Sequence, residues 1–179
     1  AAGSLIRNLL REDIIGRLGP TVGHYYLTDG NGVAYVLGGL NITTDDYERF
    51  GHMVANGGIA FGTRIVADAW IVESTQASAP TAAGDIGYGY QWWVKKVDDC
   101  NSFRAWGRRG QFIAVVAELD LVIAVTSDPT QPHPPTSIHY NPLFDLVAAA
   151  VQRERPPKKP LIAVELPPDV NAFITDYNQ

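Results

Sequence analysis

Apolar and polar residues alternate with the shortest period in the third section of the chain. Residues 88–94, 103–106, 111–117 and 121–127 are rich in aromatic and β-branched side chains and are separated by short turns. That pattern predicts an antiparallel meander, and Glu118-Leu119-Asp120 is short enough to close a hairpin within it. Inside the first run, a period of two puts Tyr88, Tyr90 and Trp92 on one face and Trp93 on the other.

Helical periods flank this section. Residues 4–17 read as a helix capped by Ser4, with Leu5, Leu9 and Ile14-Ile15 as an imperfect stripe and Gly19-Pro20 as its end. A second helix is better signed. Thr43 or Thr44 caps it, Asp45 and Asp46 sit in its first turn, Tyr47, Phe50 and Val54 share a face, and Gly57-Gly58 closes it. A shorter helix over 67–75 turns Trp70 and Ile71 inward. The last starts at Asn141-Pro142, carries Leu143, Leu146, Val147, Ala150 and Val151 as the stripe of a helix lying on a sheet, and stops at Pro156-Pro157.

Between these elements, residues 20–42 form a long Gly- and Tyr-rich connection, in which Gly38-Gly39 marks a close backbone approach or a positive φ. Residues 78–87 read as a loop of small residues, and 128–135 as a Pro-rich one. The order of elements implies an α+β fold, an antiparallel β-sheet flanked by helices, with one domain over 1–155. Residues 156–179 read as a loosely organised tail with one candidate strand at 161–166.

Composition narrows the class. With 46% hydrophobic and 18% charged residues, the chain has the make-up of a folded globular protein. A net charge of −5 argues against a general nucleic-acid binder, since phosphate backbones are held by Lys and Arg. No apolar run reaches the roughly 20 residues of a membrane helix. The single cysteine, Cys100, rules out an internal disulfide and specifies no compartment. The first residues lack both an initiator Met and the pattern of an intact signal peptide, which suggests a processed or trimmed chain.

Candidate chemistry is sparse. His24, His52, His133 and His139 make no metal-spaced pair, so no metal and no cofactor is expected. Asp45-Asp46 is explained by capping, and Gly87-x-Gly89 lacks the third glycine of a dinucleotide fingerprint. Lys95, Lys96, Arg104, Arg108 and Arg109 lie among Tyr90, Trp92, Trp93, Phe103 and Trp106, an arrangement that suits an anionic or sugar ligand.

Several segments, in their order and spacing, carry a resemblance. They are Tyr25-Tyr26-Leu27-Thr28-Asp29, Gly38-Gly39-Leu40-Asn41-Ile42-Thr43, Asp46-Tyr47-Glu48-Arg49-Phe50-Gly51, Gly87-Tyr88-Gly89-Tyr90-Gln91-Trp92-Trp93-Val94 and Gly107-Arg108-Arg109-Gly110-Gln111-Phe112. Together they resemble the C-terminal part of the class C β-lactamase-like serine hydrolases, within the β-lactamase and penicillin-binding-protein superfamily. The branch they resemble contains 6-aminohexanoate-dimer hydrolase and related carboxylesterases.

The resemblance implies a partial β-lactamase-like fold and acyl transfer to a serine, on a small ester or amide substrate. In such enzymes a Ser-x-x-Lys supplies nucleophile and base, a Tyr relays the proton, and a strand carrying Lys-Thr-Gly or a substitute donates a backbone N–H to the oxyanion. This chain has no Ser or Thr three residues before any Lys, and no Tyr-x-Asn. Both motifs belong upstream of residue 1 in the family order, so a missing N-terminal segment, or a second chain supplying it, is the expected partner.

The strand element maps onto Trp106, Gly107 and Arg108, without its Lys, which favours ester or amide substrates over β-lactams. Tyr90, Trp92 and Arg109 are the candidate substrate-binding residues. The residues themselves leave alternatives open: Gly107 and Gly110 also suit a plain turn, and aromatic strands also build core. A non-catalytic binding module derived from the same fold remains the second functional class.

Overall fold

A computed structural model describes residues 8, 10–20, 23–81, 86–107, 110–127 and 140–155. The architecture is α+β, as the pattern of elements implies. Two short antiparallel ladders come early, β1 (Tyr25–Tyr26) with β2 (Leu40–Asn41) and β3 (Ile59–Ala60) with β4 (Thr63–Arg64). The main sheet comprises β5 (Ala79–Pro80), β6 (Gly87–Tyr88), β7 (Trp93–Val97), β8 (Cys100–Trp106), β9 (Phe112–Val116) and β10 (Leu121–Val125). It is an open antiparallel meander in the order β10-β9-β8-β7-β6-β5.

Among the described residues three α-helices accompany it: α1 (Thr44–Ala55), α2 (Asp68–Ser74) and α3 (Tyr140–Glu154). Strand β9 explains the layering. All five of its residues are buried and apolar, the pattern of a strand covered on both faces. Ile113 and Val115 enter a core with Met53 and Val54 of α1, whereas Phe112, Ala114 and Val116 enter a second core with Phe144 and Ala148 of α3. The sheet is therefore sandwiched between α1 and α3.

Helix α1 forms as its caps dictate. The Asp46 N–H donates to Thr43 Oγ1 at 3.2 Å, and Gly57 and Gly58 leave the helix at φ +61° and +87°. At Gly51 the helix comes so close to the sheet that an added Cβ would stand 2.5 Å from Val122 Cγ1. Both expected roles of Gly38-Gly39 occur. Gly38 has φ +81°, and a Cβ on Gly39 would stand 2.2 Å from the Tyr35 carbonyl oxygen.

Several expectations are corrected. Residues 10–18 form a π-helical turn (Leu10–Ile14) and a 3-10 turn (Ile15–Leu18) rather than the end of a regular α-helix, and the proposed cap Ser4 lies outside the described residues. The expected strand over 88–94 is two strands. The Gly89 N–H donates to the Trp92 carbonyl, Gln91 takes φ +66°, and this tight turn resets the alternation. Tyr88 and Trp93 consequently share a face, as register partners, instead of opposing each other. The loop over 78–87 contains β5.

Of the two residues expected to turn inward on α2, Ile71 is buried, while Trp70 is 50% exposed. In α3 the buried stripe is Phe144 and Ala148, with Val151 packed beside them, while Leu143 and Leu146 face outward. Electrostatics and packing set that rotation. Asp145 accepts from Arg104 Nη2 at 2.6 Å and Lys95 Nζ at 3.0 Å, and Phe144 lies over the Arg104 guanidinium at 4.2 Å. The tail over 156–179 and the Pro-rich loop lie outside the described residues.

Candidate functional site

The end of β8 carries the first group of candidate residues. Its ladder with β7 stops at Arg104, opposite Trp93, whereas its ladder with β9 runs on to Trp106, opposite Phe112. Ala105 and Trp106 therefore have, among the described residues, no strand partner on the β7 side. Beyond them the Gly107 N–H donates to the Gln111 carbonyl at 2.7 Å and closes the hairpin loop, with Gly110 at φ +82°. Gln111 Nε2 in turn donates to the Ser127 carbonyl at 2.8 Å, which ties the loop base to the end of β10. A Cβ on Gly107 would stand 3.1 Å from Gln111 Cβ, so the position is kept small by its own hairpin.

Side chains around this strand end are aromatic. Trp106 lies on the α3 side of the sheet, its ring centroid 5.9 Å from that of Trp93, which is 4.9 Å from Tyr88. All three are half-buried. The Trp106 N–H and carbonyl, which among the described residues have no strand partner on the β7 side and are flanked by indole rings, can exchange strand-like hydrogen bonds with an extended ligand. Arg108 and Arg109, the remaining members of the motif, lie outside the described residues.

The other candidates stand elsewhere. Trp92 is 8% exposed and packs in the α1-side core, stacked on Phe50 at 6.4 Å and edge-on to Phe103 at 5.4 Å. Tyr90 belongs to α2: its ring lies 5.6 Å from Trp70, and its hydroxyl donates to Glu73 Oε1 at 3.0 Å. Partial burial, then the Glu73 hydrogen bond and charge, push the Tyr90 phenol above its ordinary pKa. Trp93 is the aromatic that a strict period of two assigns to the wrong face, and the Gly89 turn is the signal that could have placed it.

The basic and aromatic surface also resolves in part. Arg104 is buried and Lys95 half-buried, and both are ion-paired with Asp145, which makes them elements of the α3 interface. The buried hydroxyls are likewise spent on structure. Ser102 Oγ donates to the Lys95 carbonyl at 2.7 Å, and Ser74 Oγ to the Ile71 carbonyl at 3.3 Å. Burial, with the negative charges of Glu118, Asp99 and Asp98, pushes the Cys100 thiol up, away from the reactive thiolate. Among the described residues no three His, Cys, Asp or Glu side chains gather as metal ligands, and no helix is long and apolar enough to cross a membrane.

No family model and no curated protein matches the sequence. Among solved structures, the chain is similar to the "Putative 6-aminohexanoate-dimer hydrolase from Bacillus anthracis", with a TM-score of 0.67 and 26% identity. The match covers 81% of this chain and 38% of that one, so this chain spans well under half of the relative's length. The relationship is that of a β-lactamase-related hydrolase fold, at the level of the superfamily.

Proposed function

We propose that this chain is a non-catalytic binding module on a β-lactamase-like scaffold, holding a short ester or amide at the end of β8. The observation that carries this reading is the Trp106 backbone, which among the described residues has no partner on the β7 side and is flanked by the Trp93 and Trp106 indoles. Beside it the described residues bring no hydroxyl to a base, and the sequence contains no Ser-x-x-Lys. Arg108 and Arg109 are the cations this reading assigns to the ligand's carbonyl or carboxylate end. The 6-aminohexanoate dimer in the relative's name is a suitable probe.

The test titrates the 179-residue chain with that dimer while following the Trp indole N–H resonances, and in parallel treats it with a fluorophosphonate. Saturable shifts at Trp93 and Trp106, no hydrolysis and no labelled serine are the expected results. Hydrolysis, or a labelled serine within these residues, would overturn the binding reading.

A second reading has its own support. The chain corresponds to 38% of the relative, and Leu143 and Leu146 stand exposed on α3 beside the apolar, half-exposed edge strand β10. These features suit the C-terminal part of a serine hydrolase for esters or amides, completed by an N-terminal segment or a second chain bearing the Ser-x-x-Lys and the Tyr. Sequencing the gene upstream and labelling any longer product with a fluorophosphonate separates the two. A longer protein that folds, contains no Ser-x-x-Lys and remains unlabelled leaves only the binding module.

A further inference from the structure

On the α1 side of the sheet, away from Trp106, an open cavity of about 530 Å³ lies between the C-terminal half of α1 and the β3–β4 hairpin. That volume falls within the range of small-molecule sites. Its floor is apolar, with Leu18 and Met53 each only 1% exposed. Its rim includes the Arg49 and His52 side chains, one helical turn apart, and Phe61 at the tip of the hairpin.

Phe61 is unusual in two respects at once. With Gly62 it makes the two-residue turn between Ala60 and Thr63, and it takes φ +49°, in the left-handed region that β-turns of this kind normally fill with Asn, Asp or Gly. It is also 75% exposed, so no burial compensates the strain. A Cβ placed on Gly19 would be 3.8 Å from both Phe61 Cε2 and Arg49 Nη1, so the ring edge and the guanidinium converge over that glycine. Arg49, two-thirds buried, has one ion pair, to Asp46 Oδ1 at 4.0 Å, and donates no hydrogen bond among the described residues. His52 stands 3.4 Å from Glu48. Two further arginines outside the cavity lining are spent on backbone carbonyls: Arg64 donates to Gly57 and Val66, and Arg17 to Arg64.

We infer that this cavity binds a small amphipathic monoanion, a carboxylate on an apolar or aromatic body, with Arg49 taking the carboxylate and Phe61 covering the body. An apolar floor alone would accept any hydrophobe. The idle guanidinium donors at its mouth, on a chain of net charge −5, select a negative head. The strained, exposed Phe61 supplies the aromatic wall that the open side otherwise lacks. The site is independent of the β8 strand end, since the two lie on opposite faces of the sheet.

Octanoate is the probe, with octanol as its uncharged comparator, both titrated into the 179-residue chain by calorimetry and by chemical shifts of Met53 and Phe61. Octanoate is expected to bind saturably and at least about tenfold more tightly than octanol, the worth of a hydrogen bond to a charged group. Arg49→Gln should erase that preference. Phe61→Asn should weaken octanoate severalfold while raising the thermal midpoint, because Asn tolerates the left-handed turn; a purely structural Phe61 would not separate the two readouts. Equal binding of octanoate and octanol, unchanged affinity in Phe61→Asn, or no saturable binding at all would each overturn the assignment.

Discussion

Asp145 shows how one residue fixes the place of a helix. Its carboxylate holds Arg104, which is buried on β8, and Lys95, which is half-buried on β7. Removing one member of such a pair leaves a charge in a low-dielectric site, whereas removing an exposed partner costs little. Asp145→Ala is therefore expected to destabilise the chain by about 3 kcal/mol, the lower end for a buried pair because Asp145 itself is partly exposed. Lys95→Ala should cost under about 1 kcal/mol. Urea unfolding of the two variants measures both. Gly51 makes the opposite point, a residue defined by what it lacks. Gly51→Ala gains helix propensity but drives a methyl group into Val122 and Ile113, and a net loss of about 1 kcal/mol is expected from the difference.

At the scale of elements, what is legible in the sequence depends on whether one force decides the element alone. Helix α1 is legible end to end, because Thr43, Asp46 and Gly57-Gly58 act through local backbone chemistry. The meander is legible because β-branched runs and short turns leave no other pairing. Helix α3 is legible in extent and not in rotation: two apolar stripes about 100° apart compete, and contacts across the interface, the Arg104–Asp145 pair and the packing of Phe144, select Phe144 over Leu143. Sequence periodicity cannot contain a partner from another strand. The same rotation makes a sharp mutational contrast. Phe144→Ala should cost about 3–5 kcal/mol, as loss of a buried aromatic does, while Leu143→Lys and Leu146→Lys should stay within about 0.5 kcal/mol in this chain. Thermal and urea midpoints of the three variants test it, and a large loss in Leu146→Lys would mean that the exposed face of α3 is covered in solution.

For the whole molecule, the sheet reads out clearly and the candidate site only in part. The motif leads to the end of β8, where Trp106 and Gly107 stand. Trp93 is hidden by the Gly89 turn, and Trp92 and Tyr90 look alike in sequence although one lies in the α1-side core and the other against α2. Burial that escapes periodicity still has a collective signature in the titration of the fold. Burial raises the Tyr47 phenol, burial and Tyr47 raise Tyr26, burial and Glu73 raise Tyr90, and burial with neighbouring acids raises Cys100. All four native groups hold their protons more tightly than the unfolded chain does. Their contributions are complete below the ordinary values of 9.0 for the thiol and 10.0 for the phenols, and are lost as pH rises through the higher native values. Stability should accordingly fall along one alkaline limb beginning above about pH 9, as the unfolded chain releases protons that the native state retains. Urea midpoints across that range measure the slope. Tyr47→Phe should flatten it without shifting its onset, because Cys100 still begins to titrate first; an unchanged slope in Tyr47→Phe would mean that Tyr47 is hydrated in solution and that the α1 face of the sheet is more open than its packing implies.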